Sequence, residues 1–447
     1  MKISRPKFVL AAMVITSLSV YGQDQTSFTL TEAESYGVTN NEKMKNAMLD
    51  IEAAEKKIWE TTAIGLPQVS ANGQFQNLVD IPTQVVDATL FNPMAQPGDV
   101  MEFQMGQKYS SSLTFNVSQL VFDGSYLVGL RFAKFYGEMA QTAFTNTENQ
   151  VKVMVREAYY NVLVAEKNLA LVDSMMVNTE KMWNEVQILE KNGMIKKEEV
   201  SQLELAYNRI LATKQNATRQ VSVARNLLKM QMGYDLDKEL TLTETLDDVM
   251  KKILESNPAL QEFTPAQNQT YILLDQQQQL DEFSLQNEKS KYMPSVGAFF
   301  THSQNAYRNE FNFFEDEPWY PTTVWGVQVN IPITSSGQKM MRVQQAEIKL
   351  EQDQNNIDNL ERTLEFQDMQ LKAAFLNALD LLKIEEENIR LANEIYNNEV
   401  RRKDLGTGSG LKLTQLQTQV LTAQGNYIGA VLQLLSAKIQ LDKLYNQ

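Results

Sequence analysis

Catalysis needs a nucleophile, a titrating base or a metal cradle, and this sequence supplies few of them. Its 447 residues include no cysteine and one histidine, His302. Thiolate metal sites, cysteine nucleophiles, structural disulfides and a lipid-modified N-terminal cysteine are therefore excluded. A histidine-dependent triad or a multi-histidine metal centre lacks its second imidazole. His302 reads as ordinary surface in a strand hairpin. A hydrolase working through a carboxylate pair stays open, although no nucleophile constellation stands beside it. No metal and no cofactor are expected.

The formal net charge is −14. It becomes −17 once Lys2, Arg5 and Lys7 are lost with an N-terminal signal. Such a surface repels a phosphate backbone, so no nucleic-acid partner is expected. Residues 1–22 read as that signal, with three cations ahead of the apolar run Phe8–Val20, small residues behind it, and cleavage expected after Gly22. A first membrane helix competes, but the run is shorter than the roughly 20 residues a span needs. Met175-Met176 and Met340-Met341 read as core filler rather than a soft-metal path. The Gln276–Gln279 run reads as plain helix.

The elements that position the remaining polar residues follow from where proline falls. Every proline lies at or before residue 97 or between 258 and 332. Residues 98–257 and 333–447 are thus free of the residue that breaks helices. A helix over about 125–191 would be about 100 Å long at 1.5 Å per residue. It carries Glu138, Glu148, Lys152, Arg156, Glu157, Glu166 and Lys167, which place it in water within a bundle rather than in lipid. In a second long helix, over about 337–404, Ile357, Leu360, Leu364 and Leu371 keep coiled-coil spacing before the stripe drifts to Phe375, Leu382 and Ile389, as for a helix with several neighbours. A free-standing coiled coil fits the same stripe.

Each long helix runs into a glycine turn, Lys191-Asn-Gly-Met-Ile195 or Leu405-Gly-Thr-Gly-Ser-Gly410, which closes it before a reversal. Return helices follow over about 196–232 and 411–445. They align at a constant offset of 213, matching Leu203 with Leu416 and Ala224 with Ala437. The clusters Lys196-Lys197 and Arg401-Arg402-Lys403 read as solvated helix ends ahead of binding patches.

The stretches before the long helices are duplicated too. Pro67–Phe75 parallels Pro294–His302, where proline stops a helix and starts extended chain. Each stretch leads through a loop, Asn77–Lys108 or Ser303–Pro321, into an alternating strand. In the first, Leu113, Phe115, Val117 and Val121 oppose Ser112, Thr114, Asn116 and Ser118. In the second, Trp325, Val327, Val329, Ile331 and Ile333 oppose Gly326, Gln328 and Asn330. Membrane barrel strands alternate in this way, and so does a soluble sheet with one buried face. The aromatic loop 311–320 reads as an interface girdle, with an outer receptor surface as the alternative. Four strands cannot close a barrel, and open edges do not survive in hydrocarbon. A membrane reading therefore requires several chains to share one barrel.

The order helix, hairpin, strand, long helix, glycine turn and return helix, stated twice, resembles the TolC-type outer membrane efflux family. The marks are Gln119-Leu-Val-Phe-Asp-Gly124, Leu66-Pro-Gln-Val69 with Met293-Pro-Ser-Val296, and Leu405-Gly406-Thr407. The resemblance implies an α+β membrane protein in the outer membrane, with a large periplasmic portion. It would be a homotrimer with four strands per chain in a twelve-stranded barrel, joined to a periplasmic coiled-coil tunnel. Repeat 1 would occupy 23–235, with its hairpin at about 67–122, and repeat 2 would occupy 236–447, with its hairpin at about 294–334. The partners implied are a periplasmic adaptor, an inner-membrane pump and outer-membrane lipid. The chain would be a passive exit duct of a tripartite efflux or type I secretion system, and not an enzyme. A periplasmic or surface coiled-coil scaffold is the alternative.

The resemblance also assigns residues. Gly193, Leu405, Gly406 and Thr407 mark the tips where an adaptor docks. Arg401, Arg402 and Asp404 supply charged links that hold the entrance shut, with simple solubilisation of the helix end as the alternative. Glu199 with Gln202 lines the constriction in the first copy. The second copy departs from the family's acids and shows Lys412 and Gln415, so that Glu199 and Lys412 of a trimer could pair rather than bind cations.

Overall fold

A computed structural model describes residues 26–91, 93–256, 258–405 and 407–446; the expected signal, 1–22, and Gly406 lie outside them. In chain order the main elements are β1 (Ser27–Phe28), α1 (Leu30–Asn40), α2 (Glu42–Ala63), β2 (Gln68–Asn77), β3 (Thr83–Asp87), β4 (Val100–Gln104), β5 (Tyr109–Phe122), α3 (Gly124–Lys191) and α4 (Lys197–Met232). They continue as β6 (Thr241–Leu242), α5 (Leu246–Ser256), α6 (Gln269–Ser290), β7 (Ser295–Arg308), β8 (Tyr320–Asn330), α7 (Gln338–Asp404) and α8 (Gly410–Tyr445). Two compact units cut across the sequence repeats, because α3 and α7 each contribute to both.

One unit comprises Glu42–Gln150, Pro258–Asn377 and Ala437–Gln447. Its centre is an antiparallel sheet in the order β2-β5-β7-β8, which leaves β2 and β8 as edges. The register sorts side chains by chemistry. On one face Val69, Val117, Phe300 and Trp325 form a row across all four strands, beside the row Ala71, Phe115, His302 and Thr323. On the other face the rows are Gln68-Ser118-Phe299-Gly326, Ser70-Asn116-Thr301-Val324, Asn72-Thr114-Ser303-Thr322 and Gln74-Ser112-Asn305-Tyr320. The apolar row is not packed within the chain: Val69 is 72% and Trp325 78% exposed.

The strands differ in detail from the alternation read in sequence. β8 ends at Asn330, so Ile331 and Ile333 lie beyond it. Pro332 lacks the N–H a ladder needs. The register slips between Leu120 and Phe122, a bulge that re-aims the end of β5. Where one long loop is expected after Asn77, β3 and β4 pair as a second hairpin. Its turn is closed by Asp99, whose side chain accepts from the Gln96 amide at 2.8 Å. His302, on β7, has its Nδ1 2.8 Å from the Thr323 hydroxyl and its Nε2 3.2 Å from the Gln304 amide. The ring is therefore satisfied by its neighbours on the sheet.

Strand-to-helix junctions are fixed by side chains. Asp123 accepts from the Tyr126 amide at 2.9 Å and caps α3, while Gln119 donates to the Gly65 carbonyl at 2.6 Å. The Phe-Asp-Gly mark is thus an N-cap.

The other unit comprises the described part of Met1–Asn41, Val151–Asn257 and Ala378–Ser436. Its core draws on four helices: Val172, Met175, Met176 and Met182 of α3, Ile210 of α4, Ala392 and Tyr396 of α7, and Leu413, Val420 and Ala423 of α8. Met175 and Met176 fill that core, whereas Met340 and Met341, expected to do the same, are 53% and 45% exposed. Within it Gln417 donates to the Thr179 hydroxyl at 2.6 Å, which satisfies two nearly fully buried polar groups. Elsewhere β1 pairs parallel with β6, and Glu244 accepts from the Leu30 amide at 2.9 Å and the Tyr159 hydroxyl at 3.2 Å. No helix among the described residues is long and apolar enough to cross a membrane.

Candidate functional site at the helix turns

The first turn is built by backbone chemistry. α3 runs out at Lys191, and Gly193 takes φ +70, the left-handed conformation that glycine adopts without cost. Its amide reaches Glu190 O at 2.8 Å, and the Met194 amide reaches Leu189 O at 2.9 Å. This pair of bonds is a Schellman closure that satisfies carbonyls the helix leaves open. Val186, Val200 and Leu203 form a small core behind the turn with Trp183 and Ile195, and Trp183 stacks on Tyr207 at 4.8 Å. Met194 stands 70% exposed at the surface.

Glu198 and Glu199 occupy the first turn of α4, where carboxylates favour the positive end of the helix dipole. Gln202 follows, half-buried.

The second turn is built differently. The Leu405 amide bonds Arg401 O at 3.1 Å, and the Thr407 amide bonds Arg402 O at 2.9 Å. Leu405 is 79% exposed, and Arg401, Arg402 and Thr407 are exposed beside it. Gly406 and the side chain of Asp404 lie outside what is described. Gly408 is fixed by close approach: a Cβ there would stand 2.5 Å from Lys403 N and 2.7 Å from its Cα.

α8 begins without an acid of its own and carries Lys412 in its first turn. The missing anion comes from α7. Glu399, 5% exposed, accepts from the Ser409 amide at 3.1 Å, with Arg402 Nη1 3.9 Å from its other oxygen. Glu199 Oε2 lies 3.9 Å from where a Cβ on Gly410 would sit, so the first turns of α4 and α8 are neighbours. Glu199 and Glu399 thus flank the start of α8. Among the described residues no ion pair joins Glu199 to Lys412 within one chain; both are exposed, as is Gln415.

The structure brings the constriction candidates Glu199 and Lys412 to adjacent helix starts, and Gly193, Leu405 and Thr407 to two exposed turns. Sequence reasoning misses Glu399 and Gly408. Gly408 sits among three glycines that look alike in sequence. Glu399 lies ten positions before the amide it caps, in a helix whose own turns do not need it. Among the described residues no group of three or more histidine, cysteine, aspartate or glutamate side chains is placed to hold a metal ion.

Residues 266–447 match the family model described as outer membrane efflux protein. That match lies in the second half of the chain. Over the whole chain the likeness is one of fold. The Campylobacter jejuni CmeC outer membrane channel matches at 14% identity and a TM-score of 0.69, over 93% of this chain and 85% of that one. The outer membrane protein VceC of Vibrio cholerae matches at 12% and 0.65, over 93% and 96%. The open state of the Neisseria gonorrhoeae MtrE outer membrane channel matches at 14% and 0.68, over 93% and 88%. No curated protein sequence matches the chain.

Proposed function

We infer that this chain is one subunit of an outer-membrane exit duct for efflux, a homotrimer in which three four-stranded sheets close a twelve-stranded barrel while the helices stand in the periplasm. The observation that carries the reading is the exposed row Val69-Val117-Phe300-Trp325, backed by polar rows on a sheet with two free edges. The side chains of that row that the chain leaves bare, Val69 and Trp325 above all, belong against lipid, and two open edges belong against other copies. The outer membrane efflux protein pattern and the channel fold support the same assignment. A coiled-coil scaffold has no use for that row.

The duct does no chemistry and moves solute delivered by an inner-membrane pump. A periplasmic adaptor docks at the turns, at Gly193 in one and at Leu405, Gly406 and Thr407 in the other. Arg401, Arg402 and Asp404 hold the entrance closed, and Glu199, Gln202, Lys412 and Gln415 line its constriction. The test is planar-bilayer conductance of the detergent-purified chain, run beside its oligomeric mass. A trimer with small currents that grow when Arg401, Arg402 and Asp404 are neutralised supports a gated duct. A water-soluble protein that never conducts refutes it.

A further inference from the structure

We propose that the barrel section carries no fixed charge facing its lumen and passes solutes of either sign without discrimination, an inference that rests on the duct reading above. The four polar rows consist only of serine, threonine, asparagine, glutamine, tyrosine, valine, glycine and phenylalanine. Among the described residues of these rows no acid, lysine, arginine or histidine occurs.

The basic residues of the four-stranded sheet, His302 and Arg308, lie on its other face. His302 shares the face of Phe115 and is bonded to Thr323 and Gln304. Arg308 pairs in register with Tyr109, on that same face, and is 8% exposed. Its guanidinium donates to the Tyr307 carbonyl at 3.0 Å and the Pro318 carbonyl at 2.9 Å. On the polar face Thr301 donates to Asn116 at 2.9 Å, one neutral side chain bonding another across strands.

Charge selectivity in a pore comes from rings of charged side chains, and three copies of this sheet supply none. The lining offers hydroxyl and amide groups that solvate anions and cations alike. Any discrimination by charge in this chain therefore rests outside the four-stranded sheet, where Glu199 and Lys412 are one pair to vary.

The absence of cysteine makes the test direct. Ser110→Cys and Ser118→Cys on the polar face of β5, and Val117→Cys on its apolar face, are made in the full chain and reconstituted in membranes. Each is treated with a cationic trimethylammonium-ethyl and an anionic sulfonatoethyl methanethiosulfonate, with rates normalised to a free thiol. The expected result is that both serine positions react and that the cation-to-anion rate ratio changes by no more than about twofold between Ser110→Cys and Ser118→Cys. A charged lumen concentrates one reagent about tenfold or more, so a change of that size between the two positions overturns the inference. Ser118→Cys inert to both reagents overturns it as well, because the face is then not a wetted lumen. Val117→Cys reacting as fast as Ser118→Cys removes the barrel itself, and that failure is read separately from the charge ratio.

Discussion

Glu399 offers the sharpest test of how the second turn is held. Its carboxylate is buried at 5% exposure and accepts the amide of Ser409, the N-cap residue of α8, at 3.1 Å, so one of the open donors at that helix start is satisfied from another helix. Replacing it with alanine removes a cap acceptor, which costs about 1 kcal/mol. The same change removes the anion at the positive end of α8, about 0.5 kcal/mol more. The Arg402 contact, 3.9 Å long and exposed on the arginine side, adds nothing to the sum. A total of about 1.5 kcal/mol corresponds to roughly tenfold faster local opening. The assay is amide hydrogen exchange over residues 409–413, where Glu399→Ala should exchange roughly tenfold faster than the parent by that arithmetic. Glu399→Gln keeps an acceptor and loses only the charge, so it should accelerate exchange about twofold. Equal exchange in the parent and the alanine variant, or equal effects of glutamine and alanine, would refute the cap.

Three further outcomes follow from the helical unit. Gly408→Ala drives a Cβ to 2.5 Å from backbone and should destabilise the turn by about 2 kcal/mol or more, whereas Gly193→Ala meets no atom within 4 Å and should cost about 1 kcal/mol for its positive φ; exchange at the two turns compares them. Burial pushes the Tyr396 hydroxyl up to about 12. The folded state then favours the neutral ring, so stability is intact below the unfolded value of about 10 and is lost as pH rises towards about 12. At pH about 11 Tyr396→Phe should resist alkaline unfolding by about 1 kcal/mol more than the parent, and superimposable alkaline curves would contradict this. Thr179→Val leaves the Gln417 amide buried without its 2.6 Å partner and should cost about 2 kcal/mol in chemical unfolding, most of it recovered by adding Gln417→Leu.

Legibility in the sequence followed the range of the forces involved. Asp123 stands in the sequence only within the Gln119–Gly124 mark, and its cap role comes from the structure, whereas the strand faces are readable because a period of two survives without any tertiary information. Gly193 is readable because one left-handed residue ends one helix. Glu399 is not, because its partner is an amide across a turn and nothing local distinguishes it from the solvated acids around it. The division into two compact units is likewise invisible in the repeats: α3 and α7 are longer than any single core, so each helix enters two. The β3–β4 hairpin lacks a sequence signal because five-residue strands with mixed polarity fall below what alternation alone can mark.

The two turns repeat in sequence and differ in chemistry. α4 starts with Glu198 and Glu199 in its own first turn and needs no help against its dipole. α8 starts with Lys412, which opposes that dipole, and Glu399 offsets it from α7. Glu399 thus stands, from the neighbouring helix, where α4 uses acids of its own first turn. On the trimer reading an adaptor therefore meets turns of two kinds, one anchored by its own return helix and one clamped to the helix before it. Lys412→Glu distinguishes this account from mere tolerance of a surface lysine. If the dipole is the reason for Glu399, the new acid should restore roughly half a kcal/mol to a Glu399→Gln chain and bring its exchange over 409–413 back towards the parent. If exchange in the double variant stays where Glu399→Gln left it, Glu399 acts through its hydrogen bond alone and the charge at 412 is indifferent to the turn.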